Sequence, residues 1–165
     1  MNHEFANLCS IARKNSGYSQ EDVAEIFGVS VRSISDYENA KTPVPDDIVA
    51  KMIRVYDALW LGYVHLSMNT KVGALILPDV EMKELASSIL NLQVQMKKAN
   101  DIQYDIAEVG SDNKIELHEV TVYRTCIDVI NTLIGAAFSV ILAPTKKETA
   151  LAATNTASRL KKIIL

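Results

Sequence analysis

Apolar residues recur at three- and four-residue spacing through most of the chain, which is the period of a helix with one buried face. In the first third they predict short helices at about residues 4–14, 20–27, 30–40, 46–56 and 57–69. Gly17 and Gly28 stand where a left-handed residue can end a helix, and Ser19, Ser30 and Asp46 stand where a side chain can cap one. The inward residues that we expect on the last two helices are Ile48, Val49, Met52, Ile53, Tyr56, Leu59, Tyr63 and Leu66.

The pattern breaks over residues 70–79, which contain Gly73 and Pro78, and then resumes in two longer helical segments, 80–108 and 116–142. The first segment carries an apolar stripe, and the second repeats one over three heptads, as helices in a packed pair do. The stripes are Leu85, Ile89, Leu92 and Met96, and Val120, Tyr123, Ile127, Ile130, Ile134, Ala137 and Ile141. Either the two segments form an internal hairpin core, or the hairpin also makes a dimer. We expect both.

The predicted architecture is therefore all-α. It has an N-terminal five-helix domain (1–69), a linker (70–79), and a helical oligomerisation region (80–165) that holds the hairpin and a C-terminal helix after Pro144. The apolar stretch 129–143 is short for a membrane span, so we expect a buried or interface helix and no membrane. Cys9 and Cys126 lie far apart in helical patterns, which indicates reduced thiols and a cytoplasmic protein.

Charge bears on the choice of partner. The net charge is −3, and residues 1–56 hold six lysines and arginines against eight aspartates and glutamates. This balance weakens binding to phosphates by a single domain. Residues 144–165 carry a net +4, from Lys146, Lys147, Arg159, Lys161 and Lys162 against Glu148. They form either a solvated helix face or a contact to flanking DNA. The histidines lack metal-ligand spacing and no catalytic motif occurs, so we expect no enzyme, no metal and no cofactor.

Residues 20–39, QEDVAEIFGVSVRSISDYEN, have the composition of two helices that cross steeply around a tight turn. The two helices approach closely where the contact residue is small, as at Ala24. The turn needs a positive φ angle, which Gly28 adopts without a steric penalty. The other inward positions are apolar: Val23, Phe27, Val29, Ile34 and Tyr37. This segment therefore predicts a helix-turn-helix motif.

The segment resembles the lambda-repressor/Cro-like helix-turn-helix family, the XRE family of bacterial and phage regulators. The residues that match the family motif are Gln20, then Ala24, then Gly28, Val29 and Ser30, and then Ile34, Ser35, Asp36, Tyr37 and Glu38. The likeness extends over about residues 5–57. The resemblance implies a domain whose helix 30–39 enters the major groove. The positions that it turns toward base edges are Ser30, Val31, Arg32 and Asp36.

The resemblance implies a chemical role for each of these groups. Arg32 is suited to pair bidentately with guanine, and Val31 to meet a thymine methyl group. Asp36 either accepts from cytosine N4 or holds Arg32 four residues away. The positions implied to contact phosphates are Gln20, Ser35, Asn39 and Lys41, and solvent exposure explains Ser35 equally well. Arg13 and Glu38 match positions that form a partly buried structural ion pair in several family members.

These expectations combine into one functional prediction. The chain is expected to be a transcriptional repressor that binds double-stranded DNA as a homodimer through its C-terminal helices. A weaker likeness of the hairpin turn, IAEVGSDNKIE, to small regulators of Gram-positive prophages implies a mobile-element regulator. The alternative is a protein-interaction module, such as an antitoxin or adaptor, that keeps the bundle without the DNA affinity.

Overall fold

A computed structural model describes residues 2–144 of the protein, and every regular element in that range is an α-helix. The helices are α1 (His3–Asn15), α2 (Gln20–Phe27), α3 (Val31–Glu38), α4 (Asp46–Tyr56), α5 (Leu59–Asn69), α6 (Lys71–Ile76), α7 (Leu85–Asp101), α8 (Gln103–Val109) and α9 (Val120–Leu142). The predicted all-α class and N-terminal helix-turn-helix domain are confirmed. The helix and the basic residues expected within 145–165 lie outside the described residues.

Helices α1 to α5 enclose one hydrophobic core, which holds α2 and α3 in place. Cys9, Ile34, Met52 and Leu61 are completely buried at its centre. The ring of Tyr56 lies 5.9 Å from that of Phe27, which joins α4 to α2. The other members of this core are Phe5, Ala12, Val23, Ala24, Val44, Ile48, Val49, Ala58 and Val64. Most of these residues are the apolar positions of the helical pattern.

The boundary of α4 and the face of α5 differ from the predictions. Pro45, not Asp46, is the N-cap of α4, and Asp46 is its first residue, where a negative charge favours the helix dipole. Asp57 takes a left-handed conformation, with a φ of 53°, so α5 begins two residues late. Leu59 and Leu66, which we expected inside, are exposed. The buried residues of α5 are Leu61, Val64 and His65.

The expected linker is only partly irregular, because residues 71–76 form helix α6 and pack on α5. Gly73 permits this packing: a Cβ at this position would collide with the backbone carbonyl of Leu66. Thr70 caps α6 by accepting a hydrogen bond from the Gly73 amide at 2.9 Å. A side-chain cap and a small residue at the crossing therefore allow a six-residue helix in a segment whose glycine and proline predicted a break.

Helices α7, α8 and α9 form the C-terminal hairpin. The first segment is shorter than expected, because α7 starts at Leu85 and a break at Ile102 separates it from α8. The expected core stripes are not the residues that the pair buries: Ile89, Met96, Ile134 and Ile141 are between 40% and 61% exposed. Small side chains line the contact instead. By length and composition, α9 would also suffice to cross a membrane.

Candidate nucleic-acid interface

The turn between α2 and α3 is fixed by local hydrogen bonds. Ser19 and Asp22 form a reciprocal capping box at the start of α2, with distances of 2.8 and 3.1 Å. Gly28 ends α2 in a left-handed conformation with a φ of 70°. The Ser30 hydroxyl then caps α3 by accepting from the Ser33 amide at 3.0 Å. These contacts direct the first turn of α3 outward, while Ile34 anchors the helix in the core.

The four residues expected to meet bases lie on one side of α3 and its cap. Ser30, Val31 and Arg32 are exposed, and Asp36 is half-buried one turn further on. The Arg32 side chain is 90% exposed, so its guanidinium group is available to a partner. Val31 is 39% exposed, which leaves an apolar group beside this cation. This surface therefore presents the guanidinium group of Arg32, the carboxylate of Asp36 and the apolar side chain of Val31.

Asp36 lies between two cationic side chains. Its carboxylate is 3.7 Å from Arg32 Nε and 3.6 Å from Lys41 Nζ. Both distances are long for a hydrogen bond, so these are loose ion pairs that solvent weakens. Asp36 therefore orients the two cations without holding either tightly, and both remain able to exchange this partner for a nucleic acid.

A second cluster lies behind this surface and centres on Glu38. Arg13 donates to both carboxylate oxygens, Nε at 2.6 Å and Nη2 at 2.9 Å, and its Nη1 donates to the Tyr18 carbonyl at 2.8 Å. Gln20 Nε2 donates to Glu38 Oε2 at 2.7 Å. The Arg13 and Glu38 side chains are only 8% and 4% exposed. This network ties the start of α2 and the end of α3 to α1.

The cluster changes the acidity of its members. Burial alone would raise the pKa of Glu38, but the hydrogen bonds from Arg13 and Gln20 outweigh it and hold this pKa below its ordinary value. The same contact with Glu38 raises the pKa of Arg13. Both groups are therefore charged at neutral pH. Burial also raises the pKa of the neighbouring Cys9 thiol to about 12, which keeps it uncharged.

The comparisons with known proteins add one finding. A family model described as "Helix-turn-helix" matches residues 11–58, which include the turn, both cation-bearing positions and the Glu38 cluster. Residues 11–58 are an XRE-type helix-turn-helix domain. The chain therefore contains an XRE-type helix-turn-helix domain, which supports a DNA-binding transcription regulator. Searches among curated proteins and among solved structures find no match.

Within the XRE-type domain, the remaining expected contact residues are spread along α3 and its end. Asn39 Nδ2 donates to the Ser35 carbonyl at 2.8 Å and lies 3.3 Å from the Ser35 hydroxyl. This pair closes the last turn of α3, and Lys41 follows it in the exposed loop. Gln20, at the start of α2, is held near the end of α3 because its Nε2 donates to Glu38 Oε2 at 2.7 Å.

Two polar residues of the domain have structural roles that the sequence reasoning missed. His65 is buried, with Nε2 2.7 Å from Asp46 Oδ1 and Nδ1 3.2 Å from Asn69 Nδ2. Lys51 Nζ donates to the Phe27 carbonyl at 2.7 Å and so caps the end of α2 from α4. Neither sequence neighbourhood signals these long-range partners. Only Asn69 could have been suggested by the sequence as a partner of His65, because residues four apart are neighbours on a helix.

Proposed function

We propose that this XRE-type regulator reads a specific operator by placing α3 in the major groove of DNA. The base-reading residues in this proposal are Ser30, Val31, Arg32 and Asp36. The observation that carries it is the exposed Arg32 guanidinium on the first turn of a helix anchored by Ile34. Arginine forms a two-point contact with guanine O6 and N7, which is the commonest specific contact in the major groove. Asp36, 3.7 Å away, restricts the guanidinium orientation before DNA arrives.

The phosphate contacts in this proposal come from Gln20, Ser35, Asn39 and Lys41. Gln20 uses one N–H for Glu38, and the second N–H of its amide serves a phosphate oxygen. Glu38 thereby sets the direction of the Gln20 amide. Lys41 supplies a positive charge at the far end of α3, next to Asp36. Contacts of this kind set the position of the reading helix on the duplex without selecting sequence.

We further propose that the protein acts as a pair of chains on two half-sites and represses by occupying its operator. The net charge of residues 1–56 is −2, so a single domain releases few counterions on binding. A second domain tethered to the first raises the effective concentration at the neighbouring half-site and recovers affinity. The cytoplasm, where DNA is accessible to such a protein, is the proposed location.

The test compares two arginine variants on a selected operator duplex. Arg32→Ala should weaken binding by about 10- to 100-fold and relax the guanine preference at one position per half-site. Arg54→Ala removes the same charge from an exposed position in the last turn of α4 and serves as the matched control. If both variants lose affinity equally on every sequence, Arg32 contributes only charge, and the proposed base reading is wrong.

The alternative, a protein-interaction module, makes an opposite prediction for salt. Asp46 and Asp47 add negative charge to the first turn of α4, which favours this alternative over phosphate binding. A regulator should lose DNA affinity steeply between low and moderate salt, because it displaces counterions. If no duplex is bound even at low salt, the function of this domain lies in protein contacts.

A further inference from the structure

Residues 77–84 connect α6 to α7 and so join the helix-turn-helix domain to the C-terminal hairpin. The Tyr63 hydroxyl of α5 donates a hydrogen bond to the carbonyl of Pro78 in this connecting segment. From the hairpin, Gly135 of α9 lies against the backbone of Asp79, where a Cβ would not fit. Two successive residues of the connecting segment are therefore held by helices from the two halves of the chain.

A buried pair of serines adds a second attachment. Ser139 of α9 donates to the Glu81 carbonyl at 2.7 Å, and its hydroxyl lies 2.9 Å from that of Ser88 on α7. Because Ser139 uses its single hydroxyl proton for Glu81, Ser88 is the donor between the two serines. Ser88 and Ser139 are 0% and 2% exposed, so breaking either bond would leave a hydroxyl group without water as a substitute partner. The connecting segment is thus tied to both long helices of the hairpin.

Tyr63 also contacts α9 directly. Its ring centroid lies 5.2 Å from that of Phe138, with the ring planes tilted by 48°. Burial and the charge of Asp79 raise the pKa of Tyr63, which keeps its hydroxyl protonated and able to donate at neutral pH. Phe138 and Ser139 follow Gly135 at the three- and four-residue spacing of one helix face. One face of α9 therefore contacts both α5 and the connecting segment.

We propose that Tyr63 and Phe138 are positioning residues that fix the orientation of α3 relative to the C-terminal hairpin. Domains joined by a linker generally move against each other unless contacts between them prevent it. Here the contacts lie at several points along α9, so they oppose rotation about the connecting segment as well as translation. Helix α5 transmits this orientation to α3, because Leu61 and Ile34 belong to the same closely packed core.

The consequence for DNA rests on the proposed function, in which a pair of chains occupies two half-sites. Inserting one base pair between the half-sites moves the second one by about 3.4 Å and turns it by about 34° around the duplex axis. A chain in which α3 cannot reorient relative to the hairpin loses contact with one half-site after this change. We therefore expect the operator to require one half-site spacing, and Tyr63→Ala to relax that requirement.

The experiment measures the distance between two nitroxide labels by pulsed electron resonance, on the full chain without DNA. The labels are attached at Glu25→Cys on α2 and Leu90→Cys on α7, which are both exposed positions, while the buried Cys9 and Cys126 stay unlabelled. An excess of unlabelled chain ensures that only distances within one chain are measured. The labelled chain should give one narrow distance distribution, and adding Tyr63→Ala should make it at least about twice as broad.

Three further variants act as controls for this measurement. Phe138→Ala should broaden the distribution from the α9 side, and Tyr63→Phe, which keeps the ring contact, should broaden it less than Tyr63→Ala. Tyr123→Ala removes the same side chain from a half-buried position about 22 Å along α9 from Phe138, and it should leave the distribution narrow. Circular dichroism and the fluorescence of Trp60 should show that each variant folds.

Two results of the distance measurement would overturn the proposal. A broad distribution without Tyr63→Ala or Phe138→Ala would show that the two halves of the chain move independently. A distribution that stays narrow in both Tyr63→Ala and Phe138→Ala would assign the orientation to other contacts.

Operator duplexes with one inserted base pair provide a second measurement. The unchanged protein should bind them at least about 10-fold more weakly than the selected duplex, and Tyr63→Ala should lose less than about 3-fold. Equal losses in the two proteins would overturn the positioning role. If neither protein binds any duplex, the proposed function is wrong, and the distance measurement, made without DNA, still decides this inference.

Discussion

Replacing Glu38 by alanine tests the buried cluster that ties α3 to α1 and α2. The change removes two charged hydrogen bonds from Arg13 and one from Gln20, and it leaves the Arg13 guanidinium, 8% exposed, without its counter-charge. Breaking a buried pair by removing one partner costs about 3–5 kcal/mol. The bond from Arg13 to the Tyr18 carbonyl remains and offsets only part of this cost. We therefore expect a large fall in the free energy of unfolding.

Urea denaturation followed by tryptophan fluorescence measures this loss. Trp60 is the only tryptophan of the chain, and it packs against the core of the N-terminal domain, so its signal reports that domain. With a denaturant slope of about 1 kcal/mol per molar, a loss of 3 kcal/mol lowers the midpoint by about 3 M. Glu25→Ala, at an exposed position of α2, is the control and should change stability by less than about 0.5 kcal/mol.

A double-mutant cycle separates the ion pair from other effects. If the pair acts as described, Arg13→Ala combined with Glu38→Ala costs clearly less than the two single changes added together, because no unpaired charge remains. Additive costs, or a Glu38→Ala effect as small as that of Glu25→Ala, would refute the reasoning. Either result would mean that the two side chains are stabilised independently of each other.

Four further predictions follow from single groups. The pKa of Glu38 is lower in the folded protein than its ordinary value of 4.5. The stability that ionised Glu38 contributes is therefore complete above pH 4.5 and is lost as the pH falls below 4.5. We expect the stability of Glu38→Ala to fall less steeply below pH 4.5 than that of the unchanged protein in acid unfolding. Gly28→Ala forces a φ of 70° on a residue with a Cβ and should cost about 1 kcal/mol in urea unfolding, whereas no loss would mean that the turn relaxes freely. Gly135→Ala should separate α9 from the Asp79 backbone and lower the hairpin melting temperature seen by circular dichroism. Cys9 and Cys126 should react with a thiol reagent only on unfolding, since both are buried and the Cys9 pKa is about 12; rapid labelling of the native protein would contradict their burial.

Local chemistry explains why the N-terminal domain was predictable from sequence. Ser19, Gly28 and Ser30 act through hydrogen bonds and dihedral angles that involve only a few neighbouring residues, so their spacing alone indicates the turn. The apolar positions between them occur at a strict helical period. The Arg13–Glu38 contact spans 25 residues, and only the resemblance to the family suggested it.

The C-terminal hairpin shows the limit of periodicity. A heptad stripe identifies which residues share a face of a helix, but it does not identify the element that covers that face. The sequence stripe led us to expect Ile134 between α7 and α9, whereas Gly135 and Ser139 lie there because small residues let the helices approach closely. In α5, apolar residues lie almost all around the helix, so the pattern could not select the buried face that His65 shares.

The most direct test of the account is selection of bound sequences from a random DNA pool, repeated with Arg32→Ala. The account predicts an enriched palindrome from the unchanged protein and a weaker guanine preference at one position of each half-site in the variant. The half-site spacing would then give the distance between the two reading helices. If the pool yields no enrichment at low or moderate salt, or if the same palindrome emerges unchanged from Arg32→Ala, α3 does not read DNA through Arg32 and the central claim is wrong.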